Sequence, residues 1–250
     1  MIAALENGGH IGKDATRQNH FSLRFAPLLD QAVSASSIGE SAYHRIRTDI
    51  IFGRLAAGQR LRLDRLKQEY GASVSTLREI LNRLTSEGLV LAEGQRGFEV
   101  TPVSAENLKE IAGLRLLLES HALAQSISAG DMDWEGRLVS AHHKLASMEA
   151  RMKAGDTSQT EAWKRYDWEF HQALISACGS VVLMDTHAGV FDKYLRYQMI
   201  ALSYRGDIAA QEHKTLLESA LARDVATAQK VLERHINGGV DHALANGAIT

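Results

Sequence analysis

Asp167 and His171 stand four residues apart in a stretch with helical periodicity, so their side chains leave the same face and can grip one ion. His213 opens a later helical stretch, and His235 falls near the end of the last one. Asp/His sets from three helices facing one interior would supply three imidazoles and a carboxylate, a donor set suited to zinc, nickel, manganese or iron. The single cysteine, Cys178, cannot build a thiolate cage, so any metal must rely on nitrogen and oxygen. Each histidine taken singly is more often a hydrogen-bonded core or surface residue than a ligand, and the Asp167/His171 pair alone leaves both readings open. His121, His142, His143 and His187 lack a carboxylate at helical spacing and are read as ordinary histidines, as is His242. Trp163, Tyr166, Phe170 and Leu174 flank the pair at helical intervals and are read as core.

Two arginines add a second kind of chemistry. Arg115 lies within Leu114-Arg115-Leu116-Leu117-Leu118, and Arg196 sits among Tyr194, Leu195 and Tyr197. A guanidinium in such apolar company needs an anionic partner. That partner is either a bound anion or the carboxylate four residues away, Glu119 for Arg115 and Asp192 for Arg196.

The elements that must position these residues are helical. Two prolines in 250 residues leave helices almost uninterrupted. Amphipathic stretches are expected at about 105–127, 133–154, 159–177, 181–205, 207–222 and 225–245, separated by Gly130, Gly155-Asp156, Gly179-Ser180, Gly206-Asp207 and Arg223-Asp224. Short turns between such helices imply an antiparallel bundle. The expected division is an arm over 1–37, a small module over 38–103 and the helical domain over 104–250.

The small module reads differently. Tyr43, Ile46, Ile50 and Ile51 mark a helix over about 40–53, and Leu61, Leu63, Leu66 and Tyr70 mark a short second one closed by Gly71. After the hydroxyls of Ser73 and Ser75, Leu77, Ile80, Leu81 and Leu84 form the stripe of a third helix. Leu89–Ala92 and Phe98–Thr101 are β-like and are joined by Gly94-Gln95-Arg96-Gly97 as a hairpin. Three helices and a hairpin in this order describe a winged helix-turn-helix, whose third helix enters the major groove. Arg78 and Arg83 on that helix can fork onto guanine or phosphate, Ser73, Ser75 and Thr76 can bond phosphates, and Gln95, Arg96 and Gly97 would form the wing tip. Residues 38–103 carry ten Lys/Arg against eight Asp/Glu within a chain of net charge −2, so this module is the likelier landing place for a polyanion. The arm offers Lys13, Arg17 and Arg24, which serve either as an extra contact or as parts of a solvated tail. No apolar run nears the roughly 20 residues of a membrane span, and the N-terminus lacks a secretory signal pattern, so a cytoplasmic protein is expected.

At this point the chain resembles GntR-family transcription regulators of the FadR subgroup, whose C-terminal half is the helical ligand-binding domain called FCD. In the first part the likeness rests on Ile51–Leu61, on Leu77-Arg78-Glu79-Ile80-Leu81-Asn82-Arg83-Leu84, on Glu87-Gly88-Leu89-Val90 and on the wing Gln95–Val100. In the second it rests on Arg115–Glu119, Asp167-Trp168-Glu169-Phe170-His171, His213–Leu217 and His235. The resemblance implies a mainly α fold, a winged helix-turn-helix followed by a six- or seven-helix FCD-like bundle. It implies that Asp167, His171, His213 and His235 bind a divalent metal, with zinc ahead of nickel or manganese. It also implies that a small carboxylate effector meets that metal, with Arg115 and Arg196 neutralising it, and that a homodimer represses an operon through a palindromic DNA operator. Val74 and Thr76 stand where the family usually has arginine and proline, which removes one expected DNA contact. Gly179-Ser180 replaces a common asparagine. Two rival readings are a metal-dependent hydrolase using Glu169 or Glu212 as base, and a metal-free bundle whose histidines are structural.

Overall fold

The structure is a computed structural model, and it describes residues 37–94, 97–201, 204–247 and 249. The arm cations Lys13, Arg17 and Arg24 and the wing-tip residues Gln95 and Arg96 lie outside the described residues.

Chain order runs α1 (Ile38–Ile51), β1 (Arg60–Leu61), α2 (Leu63–Tyr70), α3 (Val74–Ser86), β2 (Val90–Ala92), β3 (Phe98–Val100), α4 (Ala105–Ala129), α5 (Met132–Lys153), α6 (Thr160–Ile175), α7 (Val181–Ile200), α8 (Asp207–Leu221) and α9 (Val225–Ala245), with a 3-10 turn at Thr157–Gln159 before α6. Small polar residues start most of these helices. Ser37, Ser73, Ser104, Asp131, Ser180 and Asp224 each accept a hydrogen bond from a backbone N–H of the first turn. Ser180 therefore does a cap's work in the Gly179-Ser180 segment. Gly71 closes α2 at φ 70°, a left-handed conformation that glycine adopts without a Cβ clash.

In the N-terminal module α1, α2 and α3 enclose a core of Ile46, Ile50, Leu66, Leu77, Leu81 and Leu84, finished by Val90 and Val100 from the wing. The wing has three strands in the order β1-β3-β2, all antiparallel, with Leu61 opposite Phe98 and Val90 opposite Val100. Sequence periodicity placed Leu61 in the second helix, and the structure corrects this. Arg60-Leu61 is a two-residue strand, too short to show alternation, and it is held by Val100 N donating to Gln59 O at 2.9 Å.

The bundle pairs α5 with α6, α4 with α9, α8 with α9 and α4 with α7. α7 stops at Ile200 rather than near 205. Arg205 has left the helical path and turns toward Glu212 and His235. α7 also packs against α1, so one helix touches both the bundle interior and the N-terminal module.

Candidate metal centre and DNA-reading surface

Asp167 and His171 project from α6, His213 from α8 and His235 from α9, and all four are buried. Each offers one ligand atom, and the four atoms lie within 4.8 Å of one another. The imidazole centroids are 4.6 to 5.7 Å apart. Asp167 Oδ1 is 3.3 Å from His213 Nε2 and 3.9 Å from His171 Nε2.

Each ring is backed by a glutamate that sequence spacing did not reveal. His171 Nδ1 meets Glu119 Oε1, His213 Nδ1 lies 2.7 Å from Glu149 Oε1, and His235 Nδ1 lies 3.0 Å from Glu212 Oε2. With the proton on Nδ1 donated to its glutamate, each ring turns the Nε2 lone pair away from that partner, the arrangement typical of metal-binding histidines. Nε2 of His171 and of His213 is buried without a hydrogen-bond partner among the described residues. Two orphaned ring nitrogens beside a carboxylate oxygen fit a divalent cation, and the N/O donor set suits zinc, nickel or manganese.

Electrostatics favour the same reading. Burial opposes ionisation of Asp167, yet Lys164 and the two neighbouring histidines hold its carboxyl well below the usual carboxylate range. Burial pushes His171 down and, together with the His213 charge, pushes His235 down further, which favours neutral imidazole. His213 is the exception. Burial opposes its protonation, but the Asp167 and Glu149 carboxylates outweigh it and push its pKa up to about 9.

A pocket adjoins the centre, lined in part by Arg115, Lys164, Tyr194, Gln198 and Arg205 together with Asp167, His213 and His235. Arg115 pairs with Glu119, its Nε donating at 2.9 Å, and the residue also lines the pocket. Arg196 does not reach the lining. Its guanidinium donates to the Thr101 carbonyl at the junction between module and bundle, and Asp192, its expected partner, pairs with Arg47 of α1. The reason is rotational, because α7 turns Tyr194 and Gln198 to the pocket and Asp192 and Arg196 to the other side.

Lys164 and Arg205 were missed because nothing in their spacing marks them. The adjacent Gly238-Gly239 was a legible sign, since two glycines inside a helix cost about 1 kcal/mol each in propensity and so suggest a packing reason. A Cβ on Gly239 would lie 2.3 Å from Tyr194 Oη, and one on Gly238 would lie 2.3 Å from Arg205 Nη1. His187 is buried against Gln172 and Glu119, in keeping with its ordinary reading.

On the N-terminal module, Arg78 is exposed and belongs to no ion pair among the described residues. Arg83, on the same helix, is exposed; it stacks 3.6 Å over the Tyr43 ring and donates to Glu40 at 3.2 Å. Ser73 Oγ is used as a cap and bonds both Ser75 and Thr76, while Ser75 is exposed. Thr76 is half-buried, its methyl near Gly39, and Gly97 keeps a positive φ of 94° at the wing.

A helix-turn-helix with a wing, joined to a helical bundle with a polar interior pocket, is the architecture of a DNA-binding transcriptional regulator. The family comparisons agree. The model described as "Bacterial regulatory proteins, gntR family" matches residues 38–100, and the FCD domain model matches residues 110–238. The chain belongs to the GntR family and carries an FCD domain. It is 36% identical to the uncharacterized HTH-type transcriptional regulator BphR of Paraburkholderia xenovorans over 206 residues, covering 82% of this chain and 84% of that one. It is 30% identical to the HTH-type transcriptional repressor GlaR of Escherichia coli over 204 residues, covering 78% and 90% respectively. The solved E. coli McbR/YncC shares the fold, with a TM-score of 0.70 at 19% identity over 84% of this chain and 99% of that one. The protein is a transcriptional regulator and not an enzyme. The hydrolase reading is thereby set aside; Glu169 pairs with Lys144 at 2.5 Å, and Glu212 is held by Arg205 and His235. No described helix is long and apolar enough to cross a membrane.

Proposed function

We propose that this regulator is an effector-responsive repressor of a metabolic operon, sensing a small carboxylate through a metal centre built from Asp167, His171, His213 and His235. The observation that carries the reading is the convergence of those four ligand atoms within 4.8 Å beside a pocket lined with cations. The name of the relative GlaR, a repressor, supports the direction of control. A divalent ion, zinc first, would offer the acid its open coordination positions. The chain's residues do the rest: Glu119, Glu149 and Glu212 orient the rings, and Arg115 adds positive charge to the wall.

DNA is read by α3 and the wing, with Arg78 on base edges and Ser75 and Gly97 near phosphates. A homodimer in the cytoplasm would place two such modules on the half-sites of a palindromic operator. Effector binding changes repression only by favouring one placement of the modules over another. α7 is suited to transmit that preference, since Tyr194 and Gln198 face the pocket while Asp192 and Arg196 hold Arg47 and Thr101.

Genomic footprinting followed by gel-shift titration tests the proposal. Bound sites should be palindromic and lie beside metabolic genes. Arg78→Ala should weaken specific binding by about 1–3 kcal/mol. Unchanged affinity in that variant, or footprints without an inverted repeat, would refute the DNA-reading assignment.

A further inference from the structure

Polar groups around the pocket are nearly all spoken for. Arg115 donates to Glu119 at 2.9 Å and Arg205 to Glu212 at 2.6 Å, so both guanidinium charges already face carboxylates. Tyr194 Oη donates to Ile236 O at 3.3 Å, and Gln198 Nε2 donates to Gly239 O at 3.2 Å. Two adjacent residues on the lining differ. Lys164 is 5% exposed and makes no hydrogen bond among the described residues. Its Nζ lies 4.0 Å from the Trp163 ring centroid and 3.8 Å from Asp167 Oδ2. Trp163 Nε1 is buried with no hydrogen-bond acceptor among the described residues.

Asp167 is also the carboxylate of the candidate metal centre. Once it ligates a cation, its charge is drawn from Lys164, and a buried ammonium is left facing the pocket with an aromatic ring for company. A buried charge without a counter-charge is strongly disfavoured, and a buried N–H without an acceptor adds to the deficit. An anion with hydrogen-bond-accepting oxygens satisfies both.

We propose that Lys164, supported by the Trp163 N–H, is the anion anchor of the sensing pocket, in place of the arginines whose charges are already met. The ligand is a compact carboxylic acid, because Lys164 and Asp167 lie three residues apart on one helix. One acid oxygen meets Lys164 while others reach the metal. The inference rests on the metal-and-carboxylate reading above.

The test uses full-length protein loaded with zinc and titrated calorimetrically with acetate, lactate, succinate, malate and citrate. At least one acid should bind the wild type. Lys164→Gln should weaken that binding by about tenfold or more with zinc content unchanged, and Lys164→Arg should largely restore it. Trp163→Phe, which keeps the ring and removes the donor, should weaken it by a smaller factor. Equal affinity in wild type and Lys164→Gln overturns the proposal, as does the failure of every acid to bind zinc-loaded wild type. Acid binding that depends on Lys164 in protein that takes up no zinc would defeat the metal reading and leave the anchor standing. Should Lys164→Gln fail to fold, amine labelling of Lys164 in the wild type decides the matter: the bound acid must slow it, and an unaltered rate overturns the proposal.

Discussion

His213 is the residue on which the proposed metal centre's chemistry turns. Between Asp167 and Glu149 its pKa stands at about 9, so in the metal-free protein near neutrality it carries a proton that a cation must displace. Lowering the pH below that value favours the protonated, non-ligating ring. Zinc affinity should therefore rise by about tenfold per pH unit between pH 6 and 8, with proton release on binding. Calorimetry in buffers of different ionisation enthalpy checks this, and a pH-independent affinity would contradict it. Glu149→Gln keeps the shape of the partner but removes the charge that orients His213 Nδ1, and it should cost about 10–100-fold in zinc affinity. At this scale the sequence marked the candidate ligands and was silent about the glutamates that back them. Asp167 and His171 announce themselves by an i,i+4 spacing, whereas Glu119, Glu149 and Glu212 reach the rings across helix interfaces that no local pattern encodes. Arg115 could be placed from its apolar surroundings. Arg196 could not, because the same surroundings fit a guanidinium that faces the module junction.

Helices and their ends supply the next level. The helix boundaries were largely legible because serine and aspartate caps and glycine stops punctuate them, as at Ser73, Asp131 and Asp224. The two-residue strand β1 was not, since pairing with β3 rather than its own pattern makes it a strand. The cap at α3 has a measurable value: Ser73→Ala removes the acceptor for Thr76 N and should lower stability by about 1 kcal/mol in denaturant melts. In α9 the glycine pair sets how closely the pocket walls approach. Gly239→Ala would force a methyl to within 2.3 Å of Tyr194 Oη, an atom at the tip of a buried side chain with little room to retreat. That variant should lose about 1–3 kcal/mol and show impaired acid binding. Unchanged stability and binding would mean that α7 and α9 separate freely, contrary to their tight packing.

For the whole molecule, the notable contact joins the DNA-reading module to the bundle. Arg47 of α1, 9% exposed, pairs with Glu87 at 2.9 Å inside the module and with Asp192 of α7 outside it. Its largest opposing influence is burial, but the Asp192 and Glu87 carboxylates raise its pKa regardless, so the guanidinium stays charged. Removing Asp192 leaves that charge with one partner, and Asp192→Ala should cost about 3 kcal/mol. If α7 carries the signal, Asp192→Asn should also uncouple operator affinity from effector while each ligand still binds. Normal effector sensitivity in a folded Asp192→Asn protein would place transmission elsewhere. This contact could not be read from the sequence, as its partners lie 145 residues apart.

The proposed metal centre is tested most directly by the zinc content of untagged protein after loading and exhaustive dialysis. A metal centre there holds about one ion per chain in the wild type and loses it in the His213→Ala/His235→Ala variant. A wild type that retains no more metal than that variant would contradict it, leaving the buried histidines as structural parts of the bundle.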